Sequence, residues 1–324
     1  MPRFVTAGNL TIDELIFPDG RHEVDQVGGN SLFAAIGAHI WADSVGILSL
    51  AGLGYSWSWL DLIQEAGIEV RGISELMQPH GMRAGFVYGE DSERRLLEGG
   101  KAGRKETERF RDEHEVWLVH SPGPEHIPAT YCNAVGVHLA PMPTRAHARL
   151  VAALKQPGRC ITVDSPWWDG LDQKRAPDLE LLGSLDALLP SQAEVEAYFG
   201  GPVDPVMAAR ELGQLGPSIV VVKIGARGSV VYSWQEDSIV HVPAYPSLTV
   251  DPTGAGDAFG GGFLVGLVET RDAVKAACYG TISASFVVEG YGAHYALHVE
   301  RSAAQERLRT LVPRPLRRKG DKLT

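Results

Sequence analysis

The residues Val250-Asp251-Pro252-Thr253-Gly254-Ala255-Gly256-Asp257-Ala258-Phe259-Gly260-Gly261-Gly262-Phe263 set a tight loop, an acid and the start of a helix side by side. Ala255 and the glycines around it let the backbone turn sharply and bring its N–H groups against a ligand. The apolar, small-residue run from Ala258 to Leu267 then continues as a helix. A helix start offers unpaired N–H donors and the positive end of the dipole, both suited to phosphate oxygens. A carboxylate such as Asp257 is awkward beside an anion unless the chemistry needs it. Accepting the proton of a hydroxyl that attacks a phosphoryl group is such a need. Taken alone, Gly-Ala-Gly-Asp reads equally well as a turn whose aspartate caps the next helix.

Groups of this kind need a scaffold, and the chain alternates short apolar runs with segments of helical period. Phe4–Ala7, Ser44–Leu50, Val116–His120, Ala134–Leu139, Cys160–Asp164, Ala187–Leu189, Ile219–Ile224 and Gly228–Tyr232 read as strands. Ser31–Trp41, Trp57–Ala66, Thr144–Leu154, Gln192–Phe199 and Pro205–Leu215 read as helices. That order predicts an α/β fold with a mostly parallel central sheet flanked by helices. Such sheets bind ligands at the carboxyl ends of their strands. Two segments break the alternation. Residues 10–26 are short and polar. Residues 80–98 hold the runs Ala84–Tyr88 and Arg94–Leu97 around the turn signal Gly89-Glu90-Asp91-Ser92, which reads as a hairpin. Residues 1–312 are expected to form one domain carrying these two insertions. The stretch 313–324, with Arg317-Arg318-Lys319, is basic and rich in breakers and reads as a frayed end.

The chain has 324 residues, 44% hydrophobic and 22% charged, the composition of a globular protein with a sizeable core. A net charge of −10 argues against nucleic acid as the main partner and calls for a locally basic pocket if a nucleotide triphosphate binds. Three scattered cysteines, Cys132, Cys160 and Cys278, show neither disulfide nor metal-ligand spacing, which fits a reducing compartment. No signal-peptide pattern precedes the first strand and no apolar run would span a bilayer, so no membrane role and a cytoplasmic location are expected. A dinucleotide-dependent oxidoreductase is disfavoured, because no Gly-x-Gly-x-x-Gly follows the first strand. No Gly-Lys-Ser/Thr of a Walker loop occurs either.

The string Asp251-x-Thr253-Gly254-Ala255-Gly256-Asp257 ahead of a helix resembles the C-terminal signature of the ribokinase-like (PfkB) carbohydrate kinases. The likeness extends over most of the chain, from Phe4 to Ala293. It implies a ribokinase-like fold in which residues 10–26 and 80–98 form a small β-sheet lid. Asp257 would be the catalytic base, with Gly254, Ala255 and Gly256 as the anion hole and Thr253 beside the nucleotide. Asp251 would be a candidate ligand for a monovalent cation such as K+. Asp13, in Gly8-Asn9-Leu10-Thr11-Ile12-Asp13, would bind sugar hydroxyls, a task that suits a carboxylate facing a diol. Val27-Gly28-Gly29-Asn30 matches the sugar-binding diglycine, with Gly28, Gly29 and Asn30 lining the acceptor. Phe33 stands where many members carry asparagine. Asn30 stands where members acting on sugar phosphates carry lysine, which favours a non-phosphorylated acceptor.

Ser191-Gln192-Ala193-Glu194 resembles the family's Asn-x-x-Glu motif, with Glu194 organising Mg2+ through water and Ser191 in place of the asparagine. The same two residues also read as a capping box that needs no metal. Lys223, Gly225 and Gly228, in Val222-Lys223-Ile224-Gly225-Ala226-Arg227-Gly228, would lie beside ATP, or else form an exposed hairpin turn. Ser283 to Gly292 would line the adenine site, although Gly290 replaces an arginine common in the family. Asp164, at the end of a strand and followed by Trp167 and Trp168, reads as packing under a neighbouring loop rather than as an active-site rim. The resemblance implies ATP- and Mg2+-dependent phosphotransfer to a sugar or polyol, and a homodimer formed through the lid would fit the family. Other readings are a nucleoside or inositol kinase of the same fold, or a catalytically weak sugar- or nucleotide-binding regulator.

Overall fold

The computed structural model describes residues 1–89, 94–96, 113–165 and 178–316. Fourteen strands are formed among them. They are β1 (Phe4–Ala7), β2 (Thr11–Ile16), β3 (His22–Gly28), β4 (Val45–Leu53), β5 (Glu69–Pro79), β6 (Arg83–Tyr88) and β7 (Arg94–Leu96). After these come β8 (Gly136–Leu139), β9 (Cys160–Val163), β10 (Ala187–Leu188), β11 (Ile219–Lys223), β12 (Ser229–Ser233), β13 (Ser238–Val242) and β14 (Arg314–Pro315). Ten make one sheet in the order β14-β13-β12-β11-β10-β9-β8-β1-β4-β5, and β3-β2-β6-β7 make a second, smaller one. From β11 through β5 every neighbouring pair of the large sheet is parallel, while β11 to β14 run antiparallel. β1 and β8 are buried along their whole length and β11 at its three central residues, which is why these strands read as unbroken apolar runs rather than alternating ones.

Two expectations need correction. Val116–His120 is not a strand but the end of a helix, Glu113–His120. Its four apolar residues, Val116 to Val119, fit either period, and short runs of this kind do not separate the two. The imidazole of His120 donates from Nδ1 to the Val116 carbonyl one turn back, and Ser121 Oγ does the same to Trp117. The polar stretch 10–26 forms β2 and β3 of the small sheet, as the resemblance implied, an antiparallel pair with a bulge between Asp13 and Leu15. Glu23 and Asp25 take a half-buried and an exposed position of β3, an edge strand. The tail is not frayed from its start, because Arg314 and Pro315 pair with His241 and Val240. The turn residues Glu90 to Ser92, the lid positions 97–98, Trp167, Trp168 and Arg317 to Lys319 lie outside the described residues. No helix among the described residues is long and apolar enough to cross a membrane.

Glycines set the depth at which the two helices nearest the site meet. A methyl group on Gly261 would sit 1.8 Å from the Ala34 carbonyl oxygen, and one on Gly37 would sit 2.0 Å from that of Ala258. The helix Ala255–Thr270 therefore lies directly on the backbone of the helix Asn30–His39. Gly29 caps one of these helices and Gly254 the other. Phe33 closes the gap: its ring lies 2.2 Å from where a Cβ on Gly254 would be.

Two buried histidines make the fold sensitive to acid. His80 accepts at Nδ1 from the Gly52 N–H and donates from Nε2 to the Leu10 carbonyl. His138 shares Nδ1 with Thr162 Oγ1, and its Nε2 has no hydrogen-bond partner among the described residues. Burial pushes both imidazoles down to about 3, with further pushes from His120 on His80 and from Lys223 on His138. In the unfolded chain each takes up a proton below about 6.5. Between that pH and about 3 the unfolded state binds more protons, so the stability these residues contribute is present above pH 6.5 and is lost as pH falls. Each should cost about 2 kcal/mol at pH 5 relative to pH 7. Urea unfolding at the two pH values measures this, and equal stabilities would contradict it.

Candidate active site

The carboxyl ends of the parallel strands face a cleft of about 780 Å³. Asp164 follows β9, Ser191 and Glu194 follow β10, Lys223 ends β11, and all four line its wall. Ala255, Gly256 and Asp257, from the start of the Ala255–Thr270 helix, form the facing side. Gly254 caps that helix at φ 74°, a left-handed conformation that favours glycine. The next turn starts cleanly, with the Ala258 N–H on the Gly254 carbonyl at 2.8 Å. The Ala255 N–H leans 3.3 Å toward the Pro252 carbonyl.

At the centre stands an ion pair that local sequence patterns do not single out. Lys223 Nζ donates to Asp164 Oδ1 at 2.5 Å, with both side chains almost wholly out of solvent. Asp164 Oδ2 is buried with no hydrogen-bond partner among the described residues. Burial pushes the Asp164 carboxyl well above the usual carboxylate range, and the Lys223 charge only partly draws it back. Burial would lower the Lys223 ammonium, but Asp164, Glu194 and Asp257 more than offset this and hold it above its ordinary value. A Cβ on Gly256 would be 3.3 Å from Lys223 Nζ. One cation thus sits against the glycine turn, surrounded by three carboxylates. Among the described residues the lining therefore sets one cation against three carboxylates, and it is not the locally basic pocket that the acidic chain called for.

Ser191 and Glu194 do form the capping box: Ser191 Oγ accepts from the Glu194 N–H, and Glu194 Oε2 accepts from the N–H and Oγ–H of Ser191. A backbone bridge between Ser191 and Lys223 fixes this cap beside the ion pair. Gly225 and Gly228 also line the cleft, both with positive φ. At the far end lie Thr281, Ala284, Ser285 and Val288, while Ser283 is turned inward onto Trp41 and the Gly37 carbonyl. Gly292, at φ 73°, caps a short helical turn and is not part of the wall.

The expected acceptor residues gather at a second point, around the end of β1 and the start of the Asn30–His39 helix. Asp13 Oδ2 is so close to Gly28 that a Cβ there would meet it at 1.9 Å. Gly29 adopts φ 111°, and any side chain on it would strike the Asn9 carbonyl at 2.4 Å. Asn30 is spoken for at both ends of its amide: Oδ1 accepts from the Asn9 N–H, and Nδ2 donates to the carbonyl of Pro141, which lines the cleft. Its role in the fold is to tie the acceptor segment to the cleft wall. Asp251 lies behind the glycine turn rather than in the cleft, 2% exposed. Its Oδ1 accepts from the Thr253 N–H and its Oδ2 from the Tyr88 hydroxyl, both at 2.8 Å. Each carboxylate oxygen thus has one donor from the chain.

Comparison with known proteins agrees with this geometry. The family model described as pfkB family carbohydrate kinase matches residues 19–299. The cytidine kinase of Thermococcus kodakarensis is 28% identical over 290 residues, covering 89% of this chain and 96% of that protein. A ribokinase from Giardia lamblia superposes with a TM-score of 0.75 at 19% identity, over 94% of this chain and 99% of that one. The ribokinase of Arabidopsis thaliana, solved with ribose and ATP, gives 0.68 at 22% identity, over 95% and 98%. The ribokinase-like fold seen in sheet order and layers is thus matched nearly end to end, and the chain is a kinase of the pfkB carbohydrate kinase family.

Proposed function

We propose that this chain transfers the terminal phosphoryl group of ATP to a hydroxyl of a small, non-phosphorylated sugar. The observation that carries this reading is the placement of Asp257, at a helix start on the cleft wall beside Gly256 and within the field of Lys223. Asp257 accepts the proton of the acceptor hydroxyl while its oxygen attacks the γ-phosphorus. As that bond forms, the bond from the γ-phosphorus to the bridging oxygen breaks and ADP leaves. The backbone N–H groups of Gly254, Ala255 and Gly256, together with the Lys223 ammonium, meet the charge of the transferred group. Asp13 and the Gly28–Gly29 backbone hold the acceptor, and Gly225, Gly228 and Ser285 border the nucleotide.

Magnesium fits the donors present. Asp164, Glu194 and Asp257 offer only oxygen, and Asp164 Oδ2 is buried without a partner among the described residues. No group of three acidic, histidine or cysteine side chains among those residues is arranged to ligate a metal by itself. Glu194 and Asp164 would therefore hold the ion through water and the nucleotide phosphates, where it supplies charge neutralisation.

The full-length likeness to a cytidine kinase supports a second reading, in which the sugar is the ribose of a nucleoside. ATP consumption and phosphorylated product, measured over pentoses, hexoses, nucleosides and inositols, decide between them. Turnover confined to nucleosides would select the second reading. Tight binding of a sugar with no turnover on any acceptor would instead make the chain a regulator.

A further inference from the structure

Among the described residues, a hydrogen bond joins the small sheet to the segment that leads into the glycine turn. Tyr88 ends β6, and its hydroxyl donates to Asp251 Oδ2 at 2.8 Å. The other oxygen of that carboxylate holds the Thr253 N–H, the amide just before Gly254. The N–H groups of Val250 and Asp251 are fixed in turn on the Val288 carbonyl, at 2.7 and 3.1 Å. Around the hydroxyl, the Tyr88 ring stacks on Phe17 at 5.7 Å and meets Tyr291 edge-on at 4.9 Å; Phe17 and Tyr291 pack at 4.7 Å. Phe17 follows β2, and Tyr291 lies beyond the C-terminal end of the Ala273–Val287 helix that borders the cleft. Three rings thus pack where the small sheet meets this segment, and the Tyr88 hydroxyl links the sheet to Asp251.

We infer that Tyr88 is a positioning residue that couples docking of the small sheet to the shape of the anion-binding turn. Asp251 is 2% exposed, so withdrawing one of its two donors leaves a buried charge half satisfied. A hydrogen bond to a buried ionised group is worth more than a neutral one, and leaving the group short of a partner is costlier still. The turn can relieve that cost by moving. Gly254, at φ 74° and without a side chain, is the point at which it can move, while the helix behind it is pinned by Gly261 and Ala34. With the sheet seated, the amides after Thr253 are held ready for the transferred phosphoryl group. With the sheet withdrawn, they are not. The effect on catalysis rests on the kinase reading above, and the effect on the turn does not.

Tyr88→Phe tests both, since it keeps the three-ring contact and removes only the donor. Hydrogen exchange of the amides from residue 250 to 257 should quicken by about tenfold, with β1 and β8 unchanged. With the best acceptor, kcat should fall by about tenfold or more while the KM values for ATP and acceptor stay within about threefold. Unchanged exchange in the turn would overturn the coupling, and so would faster exchange with an unchanged kcat. If the wild-type protein phosphorylates no acceptor while Tyr88→Phe still loosens the turn, the kinase reading fails and the mechanical link stands.

Discussion

Asp257→Asn should reduce kcat by on the order of a thousandfold or more while the affinity for ATP changes by less than about threefold. Asparagine matches aspartate in shape and can still accept a hydrogen bond in the first turn of the Ala255–Thr270 helix, so the fold should survive. What it cannot do is take a proton from the attacking hydroxyl. A site that binds nucleotide and merely tolerates the carboxylate would behave differently, because relief of repulsion toward the phosphates would tighten ATP binding without harm to turnover. A coupled ADP assay gives kcat, and calorimetric titration gives the ATP dissociation constant. Near-normal phosphotransfer by the variant would remove Asp257 from the role of base, and the proposed chemistry with it.

That prediction can be made from sequence because the chemistry of Asp257 is local. The loop, the helix start and the acid lie within a few residues of one another, and their spacing on the chain is their spacing in space. The Ser191–Glu194 cap is legible for the same reason. The strand order is less so, yet alternating strands and helices already imply a parallel sheet whose carboxyl ends carry the site. What could not be read are contacts set by packing. Phe33, visible only as a departure from the family pattern, proves to be the surface against which Gly254 is formed. The hydroxyl of Tyr88 meets Asp251 across 163 residues, and nothing in either local sequence anticipates it. Asp164 is the clearest case. Next to two tryptophans it reads as packing, and its importance appears only when β10 is inserted between β9 and β11. Asp164 and Lys223 then project from strands on either side of β10.

The Lys223–Asp164 pair can be asked whether it serves the fold or the reaction. Lys223→Met alone should lower stability by about 3 kcal/mol or more, since it leaves Asp164 buried without its counter-charge. It should also cut kcat/KM by on the order of a hundredfold, as loss of one fixed donor to a transferring group does. Adding Asp164→Asn removes the orphaned charge, so the double variant Lys223→Met/Asp164→Asn should recover most of the lost stability. Its turnover should stay low, because no cation among the described residues then lines the cleft beside the glycine turn. Urea unfolding and steady-state kinetics on the wild type, both single variants and the double variant complete the cycle. If activity returned together with stability, the pair would be a structural clamp and the phosphate would have to be met by the turn amides and metal alone. Recovery of stability without recovery of rate places the ammonium against the transferred phosphoryl group, with Asp164 keeping it charged and aimed there.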